Sequence, residues 1–194
     1  MQEAYVPLYL PWINKRIGIE GTLQRPPMTY QMGIDWVRKQ GENKGKHEVF
    51  AILMRKGAGH QYVGHTGLHD ISWPGGVGKT GSIIGHPKGR GHGVGTEAKL
   101  WLLFHAFEIL GLRKIVSDVK AFNGQSLGHL LKCGYRPVGR YRKHVFHEGA
   151  FVDEILLEVF RDDWRRIFDK YQKERRQPKL SCSDRAWVKE TVSS

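Results

Sequence analysis

Seven consecutive residues, Arg90-Gly91-His92-Gly93-Val94-Gly95-Thr96, have the composition of an anion-binding loop. Glycine alternates through Gly91, Gly93 and Gly95, and a backbone without Cβ atoms approaches a ligand closely and adopts positive φ. A long apolar run follows. Leu100, Leu103, Phe104, Phe107 and Leu110 recur at helical spacing, and Ala98, Leu102, Ala106 and Ile109 form a second stripe. Two stripes predict a helix buried around much of its circumference. Glu97 suits its first turn and Gly111 its C-terminal stop. A glycine loop feeding a helix N-terminus offers free N–H groups at the positive end of the helix dipole. Two phosphates joined as a pyrophosphate fit such a site.

A second stretch, Gly75-Gly76-Val77-Gly78-Lys79-Thr80, imitates the end of a phosphate-binding P-loop. The full pattern needs glycine where Trp73 stands, Pro74 removes a donor, and Gly81, Gly85 and Pro87 bar a following helix. The loop at Arg90–Thr96 is therefore the better anion site.

The elements around that loop follow from patterning. Thr80–Gly85 predicts a strand just before it, and Lys114–Val119 a strand just after the helix. Earlier, Glu48–Met54 and Tyr62–Ile71 predict a hairpin turned at Gly57-Ala58-Gly59. Thr29 caps a helix from Tyr30 to about Lys39, and residues 3–15 carry a helical stripe broken by Pro7 and Pro11. Ser126 to Lys132 is a short helix ended by Gly134, and Asn123 can cap it. Tyr135–Phe146 and Phe151–Phe160 predict a closing hairpin, with the turn at His147-Glu148-Gly149. From Arg161 a basic helix runs to about Arg176, with Trp164, Ile167, Phe168 and Tyr171 on one face.

On these residues the chain resembles the GCN5-related N-acetyltransferases. Arg90-Gly91-His92-Gly93-Val94-Gly95-Thr96 is similar to their (Arg/Gln)-x-x-Gly-x-(Gly/Ala) acyl-CoA loop. Asn123-x-x-Ser126 with Lys132-Cys133-Gly134-Tyr135 resembles the second half of the cofactor site. Gly139-Arg140-x-Arg142, Gly149 and Val152-Asp153 resemble the closing hairpin of the branch that includes the ribosomal-protein alanine acetyltransferases. The resemblance spans roughly residues 5–164. It implies one α/β domain with a mixed, mostly antiparallel sheet of about six strands, splayed central strands and flanking helices. The family's first strand would be missing, because the chain starts too late to supply it.

The resemblance further implies acetyl-CoA as cosubstrate. Ile83 and Ile84 stand where backbone pairs with the pantetheine arm, Arg90 to Thr96 where main-chain donors meet the pyrophosphate, and Asn123 and Ser126 where the arm is met from the opposite side. Acetyl transfer needs a neutral amine, a polarised thioester carbonyl and a protonated leaving thiolate. The family's usual Glu base position is Lys79 here, and its usual Tyr acid, seven residues after the Asn, is Leu130. His69 or Asp70 as base and Ser126 as donor to sulfur are the candidate substitutes; a mechanism resting on positioning needs neither. The expected acceptor is a primary amine, first a protein N-terminus. Polyamines, amino acids or aminoglycosides are the small-molecule alternative, and a polycation is disfavoured by the basic chain. A non-catalytic acyl-CoA-binding or RNA-associated module is the rival from another class.

The net charge of +12 and pI of about 9.8 point to polyanionic partners, either CoA phosphates or RNA or ribosome contact through the basic surface. Two cysteines, Cys133 and Cys182, make no disulfide framework and no metal set. No apolar run approaches the ~20 residues of a bilayer span, and the start lacks a signal-peptide pattern. A cytoplasmic protein without membrane or metal is the expectation. Residues 1–160 are expected to form the acyltransferase domain, 161–176 a basic C-terminal helix and 177–194 a flexible tail.

Overall fold

The strand Lys114–Lys120 alternates strictly, with Ile115, Ser117 and Val119 turned inward and their neighbours half-exposed. That period of two is a strand with one packed face. The helix before it also forms as patterned. It begins at Val94 behind Gly93, whose φ is 78°, and continues past Phe104 as a π-helical turn over His105–Ile109. Gly111, at φ 68°, then reverses the chain, and the Leu112 N–H donates to the Ala106 carbonyl (2.9 Å). Because this helix carries the chain back over the sheet, the strands before and after it run parallel.

In the computed structural model, residues 1–15, 18, 27–42 and 45–174 are described. The helices are α1 (Val6–Ile13), α2 (Tyr30–Glu42), α3 (Val94–Phe104), α4 (Gly124–Lys132) and α5 (Arg161–Glu174). The strands are β1 (Glu48–Lys56), β2 (Gly59–Ser72), β3 (Val77–Ile84), β4 (Lys114–Lys120), β5 (Arg136–His147) and β6 (Ala150–Phe160). They form one six-stranded sheet in the order β1-β2-β3-β4-β6-β5, in which only β3 and β4 are parallel. This is the mixed α/β sheet that the sequence predicts.

Two apolar clusters cover opposite faces. Phe50 joins the main cluster and its neighbour Ala51 packs on the second, as strand alternation requires. The main cluster joins α3, α4 and α5 to Leu68, Ile115, Leu157 and Val159 of the sheet. The second packs Val6, Tyr9 and Ile13 of α1 on Ile34 and Val37 of α2 and on Tyr62 of β2. Thr29 caps α2 as expected, its hydroxyl accepting from the Met32 N–H (3.2 Å). Among the described residues no strand precedes α1; the Met1 amino group instead donates to the Val49 carbonyl of β1 (2.8 Å).

Some details differ from the sequence expectation. β3 starts at Val77 rather than Thr80, so the P-loop look-alike is a turn and a strand. Ile109 lies 58% exposed, because the π-helical turn rotates it off the second stripe. Pro11 sits inside α1 rather than breaking it, and α2 runs on to Glu42. Residues 16, 17, 19–26, 43 and 44, Arg175, Arg176 and the expected flexible tail at 177–194 fall outside the described residues.

α5 belongs to the main core. Trp164 and Phe168 are fully buried, and the Trp164 indole N–H donates to the Leu100 carbonyl of α3 (3.2 Å). Its basic flank is partly neutralised: Arg161 and Arg165 both pair with Glu108, and Arg166 lies 3.6 Å from Asp163. Trp164→Ala should therefore lower the unfolding free energy by about 3–5 kcal/mol, the usual cost of emptying such a site. Arg166→Gln, on the exposed flank, should stay within about 0.5 kcal/mol of wild type. Urea denaturation of both variants checks this; a Trp164→Ala loss below about 1 kcal/mol would show that α5 is no part of the core.

Candidate functional site

The glycine loop is built as a cradle. β3 ends at Ile84, a short turn over Pro87–Gly89 follows, and the chain reaches α3 through Gly91 and Gly93, both near φ +78°. A Cβ added at either glycine would meet nothing within 4 Å, so the cradle opens to solvent. The first helical bond is Glu97 N–H to Gly93 carbonyl (2.9 Å). The N–H groups of Val94, Gly95 and Thr96 therefore lack helical acceptors and face the cradle end of the dipole. His92 is exposed on its rim. Arg90 plays another part than expected: its main-chain N–H donates to Pro87 (3.0 Å), and its side chain ties the Ile84 carbonyl (2.9 Å). Arg90 thus braces the loop against β3, and the main-chain donors for an anion begin after it.

A fork leads into this cradle. β3 and β4 pair only at Val77–Lys114, Gly78–Ile115 and Lys79–Val116, and beyond those positions they separate. The β4-facing edge of Thr80 to Ile84 is left without a neighbouring strand, which is the slot where an extended arm can add as a strand. Ser117 closes the narrow end, its hydroxyl donating to the Thr80 carbonyl (3.2 Å). The Thr80 hydroxyl in turn meets the Tyr135 hydroxyl (2.7 Å). On the α4 side, Asn123 caps the helix by accepting from the Ser126 N–H (3.0 Å). Its amide NH2 makes no hydrogen bond among the described residues. Gly95 sits over Ile84 and next to the His129 ring, so β3, α3 and α4 converge at this mouth.

The sheet face above the fork carries a different set. His69 stands opposite Lys79 across β2 and β3. Its Nε2 lies over a glycine pair: a Cβ would come within 3.3 Å of it at Gly67 and 3.4 Å at Gly81. Burial, and then the neighbouring His47, holds His69 below the usual histidine range against the opposing pull of Asp70. It is a neutral imidazole at neutral pH, with an acceptor nitrogen beside the fork. Asp70, the other candidate base, sits where the β2–β3 register breaks, at φ 50° and exposed.

Sequence reading found no carboxylate on β3, yet one is present at that spot. Lys79 forms an ion pair with Asp118, straddling the fork from β3 to β4. Lys120 binds Asp118 (3.2 Å) and Glu154 (3.0 Å), and His144 lies 3.6 Å from Glu154. Burial pushes the Asp118 carboxyl up, but the hydrogen bond from Lys79 and the charges of Lys79 and Lys120 outweigh it. Asp118 thus remains ionised and a weak base. Register supplies the missing signal: Lys79 pairs with Val116, two residues before Asp118 on the same face.

Comparison with known proteins agrees with this geometry. A family model described as an acetyltransferase (GNAT) domain matches residues 9–136. The spermidine N-acetyltransferase of Vibrio cholerae, solved in complex with CoA and spermine, superposes with a TM-score of 0.74 at 17% identity, over 85% of this chain and 95% of that one. A T. thermophilus protein provisionally assigned as an acetyltransferase gives a TM-score of 0.72 at 21% identity, over 90% of each chain. At such identities these structures are shared folds.

The cradle makes a direct prediction. CoA should raise the melting temperature of the wild-type protein by mass action. Gly93→Val places a β-branched residue at φ 78°, which L side chains adopt only with strain, and should abolish that shift while leaving a folded apo protein. Unchanged CoA affinity in this variant, measured calorimetrically, would sink the assignment of the loop.

Proposed function

The chain belongs to the GNAT acetyltransferase family and is an acetyl-CoA-dependent N-acetyltransferase, and we propose that its acceptor is a small primary amine of the polyamine class. The observation that carries this reading is the pair of carboxylates, Asp118 and Glu154, on the wall above the fork. The sequence expectation of a protein N-terminus came from the resemblance, with the whole-chain charge of +12 set against a polycation. The wall does not share that charge. Lys79 and Lys120 are matched there by Asp118 and Glu154, so an incoming ammonium can replace a lysine on either carboxylate. The spermidine N-acetyltransferases among the similar structures support the same acceptor class.

The chemistry then distributes over this chain's residues. An amine attacks only as its neutral form, and His69 is placed to take its proton, being uncharged and next to the Gly67–Gly81 floor. The cradle at Gly91–Thr96 holds the pyrophosphate, and the free edge of β3 aligns the arm so that the thioester lies inside the fork. Charge developing on the carbonyl oxygen falls on backbone N–H groups of that edge.

Thiol release from acetyl-CoA, measured against spermidine, spermine, single amino acids and peptides with a free N-terminus, tests the acceptor. Polyamines should exceed peptides in kcat/KM by at least tenfold, about 1.4 kcal/mol. Asp118→Asn should raise the polyamine KM about tenfold and leave CoA binding unchanged. A preference for peptides would overturn this reading. His69→Ala should cut kcat about tenfold or more. Wild-type activity should fall as pH drops and His69 gains its proton, at a pH below the usual histidine range; an acid limb unchanged in His69→Ala would remove His69 from the base role.

A further inference from the structure

The long helix behind the glycine loop carries an ionisable side chain into the centre of the molecule. Lys99 of α3 is only 1% exposed, and among the described residues no carboxylate pairs with it. A lone buried lysine is rare, because desolvating an ammonium without a counterion is costly. Volume alone does not call for an amine there; methionine would fill the same space without a charge.

Its position follows from the helix. Gly95 rests on Ile84 at the open end of the fork. Lys99 lies one turn further on, on the same face of α3. α3 returns along β3, so one turn of about 6 Å moves back roughly two strand residues, to the level of Ser82. There the β3 edge is free, because pairing with β4 stopped at Lys79. Lys99 thus lies beneath the fork and His69 above it. The electrostatics agree: the Lys99 charge reaches His129 on α4, Cys133 just past its end and, across the fork, His69 on β2.

We propose that Lys99 is the proton donor to the departing CoA thiolate. This rests on the acetyl-transfer reading and completes it. As the amine nitrogen bonds to the carbonyl carbon, the carbon–sulfur bond breaks and its electron pair goes to sulfur. A Lys99 Nζ–H proton passes to that sulfur, and the surplus proton on nitrogen passes to His69. Lys99 regains a proton from water as His69 releases one, so the sum is amine plus thioester giving amide plus thiol.

The surrounding groups are poor rivals for this role. Leu130, at the family's usual donor position, is apolar and 3% exposed. The Tyr135 hydroxyl is engaged by Thr80, and burial drives its pKa far up. Cys133 points at the Thr96 carbonyl (3.9 Å), and burial lifts its thiol to about 12, so it provides Lys99 with no counterion. His129 is kept neutral chiefly by burial and then by Lys99 itself. Burial brings Lys99 down to about 8, close to the ordinary range of a thiol near 8.5, so proton transfer between them is nearly balanced. Ser126, expected from sequence as this donor, has no comparable acidity.

Steady-state kinetics on the full chain test the idea, with acetyl-CoA and the amine that wild type uses best. Lys99→Met should lose about 100-fold in kcat, at the lower end for general acids, with the acetyl-CoA KM changed by less than about threefold. The wild-type alkaline limb, centred near pH 8, should vanish in this variant. In Lys99→Ala, added methylammonium should restore turnover in a dose-dependent way, whereas tetramethylammonium, equally charged but without a proton, should not. The CoA-induced melting shift confirms that each variant is folded. Wild-type kcat and an intact alkaline limb in Lys99→Met, or equal rescue by both cations, would overturn the proposal. Wild-type protein that binds CoA yet releases no thiol with any amine would instead overturn the transfer reading beneath it.

Discussion

The structure depends on a parallel strand pair that ends after three positions. Lys79 and Val116 are the last partners of β3 and β4, and the hydrogen bonds that should follow are not made strand to strand. Unpaired backbone inside a protein is expensive, so each free group at the fork is met in another way or turned toward a ligand. Ser117 takes the Thr80 carbonyl and Arg90 takes the Ile84 carbonyl. What is left between them is an edge strand facing a slot, with a helix N-terminus at its wide end. In the proposed reading, pyrophosphate and pantetheine meet their partners in this one defect.

The fork also divides the electrostatics into two levels. Above it, charges occur as matched sets, and the acceptor nitrogen beside the fork belongs to a neutral histidine. Below it, α3 carries one unmatched ammonium among leucines and phenylalanines. The two levels differ in burial: the carboxylates and lysines above are partly solvated, where an ion pair is worth keeping, whereas Lys99 below is only 1% exposed. A whole-chain charge of +12 averages over both and describes neither. Net charge alone therefore carries little weight against a polycationic acceptor.

Much of this was legible in the sequence wherever a feature is local. The loop at Gly91–Gly95, the Asn123 cap, the alternation of β4 and the apolar stripe of α5 each need only a few consecutive residues, and each formed as patterned. What was not legible required knowledge of register. Asp118 lies 39 residues from Lys79, and nothing in either strand says that they meet until β3 and β4 are aligned. Lys99 was hidden for another reason. Between two apolar stripes a lysine looks like the solvent-facing seam of the helix. The half-exposed side of α3 runs instead through Glu97, Trp101 and Phe104, and Lys99 is on the enclosed side.

α5 closes that enclosure. It lies beyond the residues that the family model matches, 9–136, yet its Trp164 indole binds the carbonyl of Leu100, the residue next to Lys99. Trp164 stacks on Phe168 (4.9 Å between centroids) and also packs on Phe107, so the bond is made inside a rigid aromatic wall. A buried ammonium without a counterion favours any motion that lets in water, and the helix turn that bears it is the natural place to yield. Fixing the backbone at Leu100 opposes that motion. The C-terminal helix therefore holds in place the helix turn that carries Lys99, and its basic outer flank, neutralised in part by Glu108, is secondary to that task.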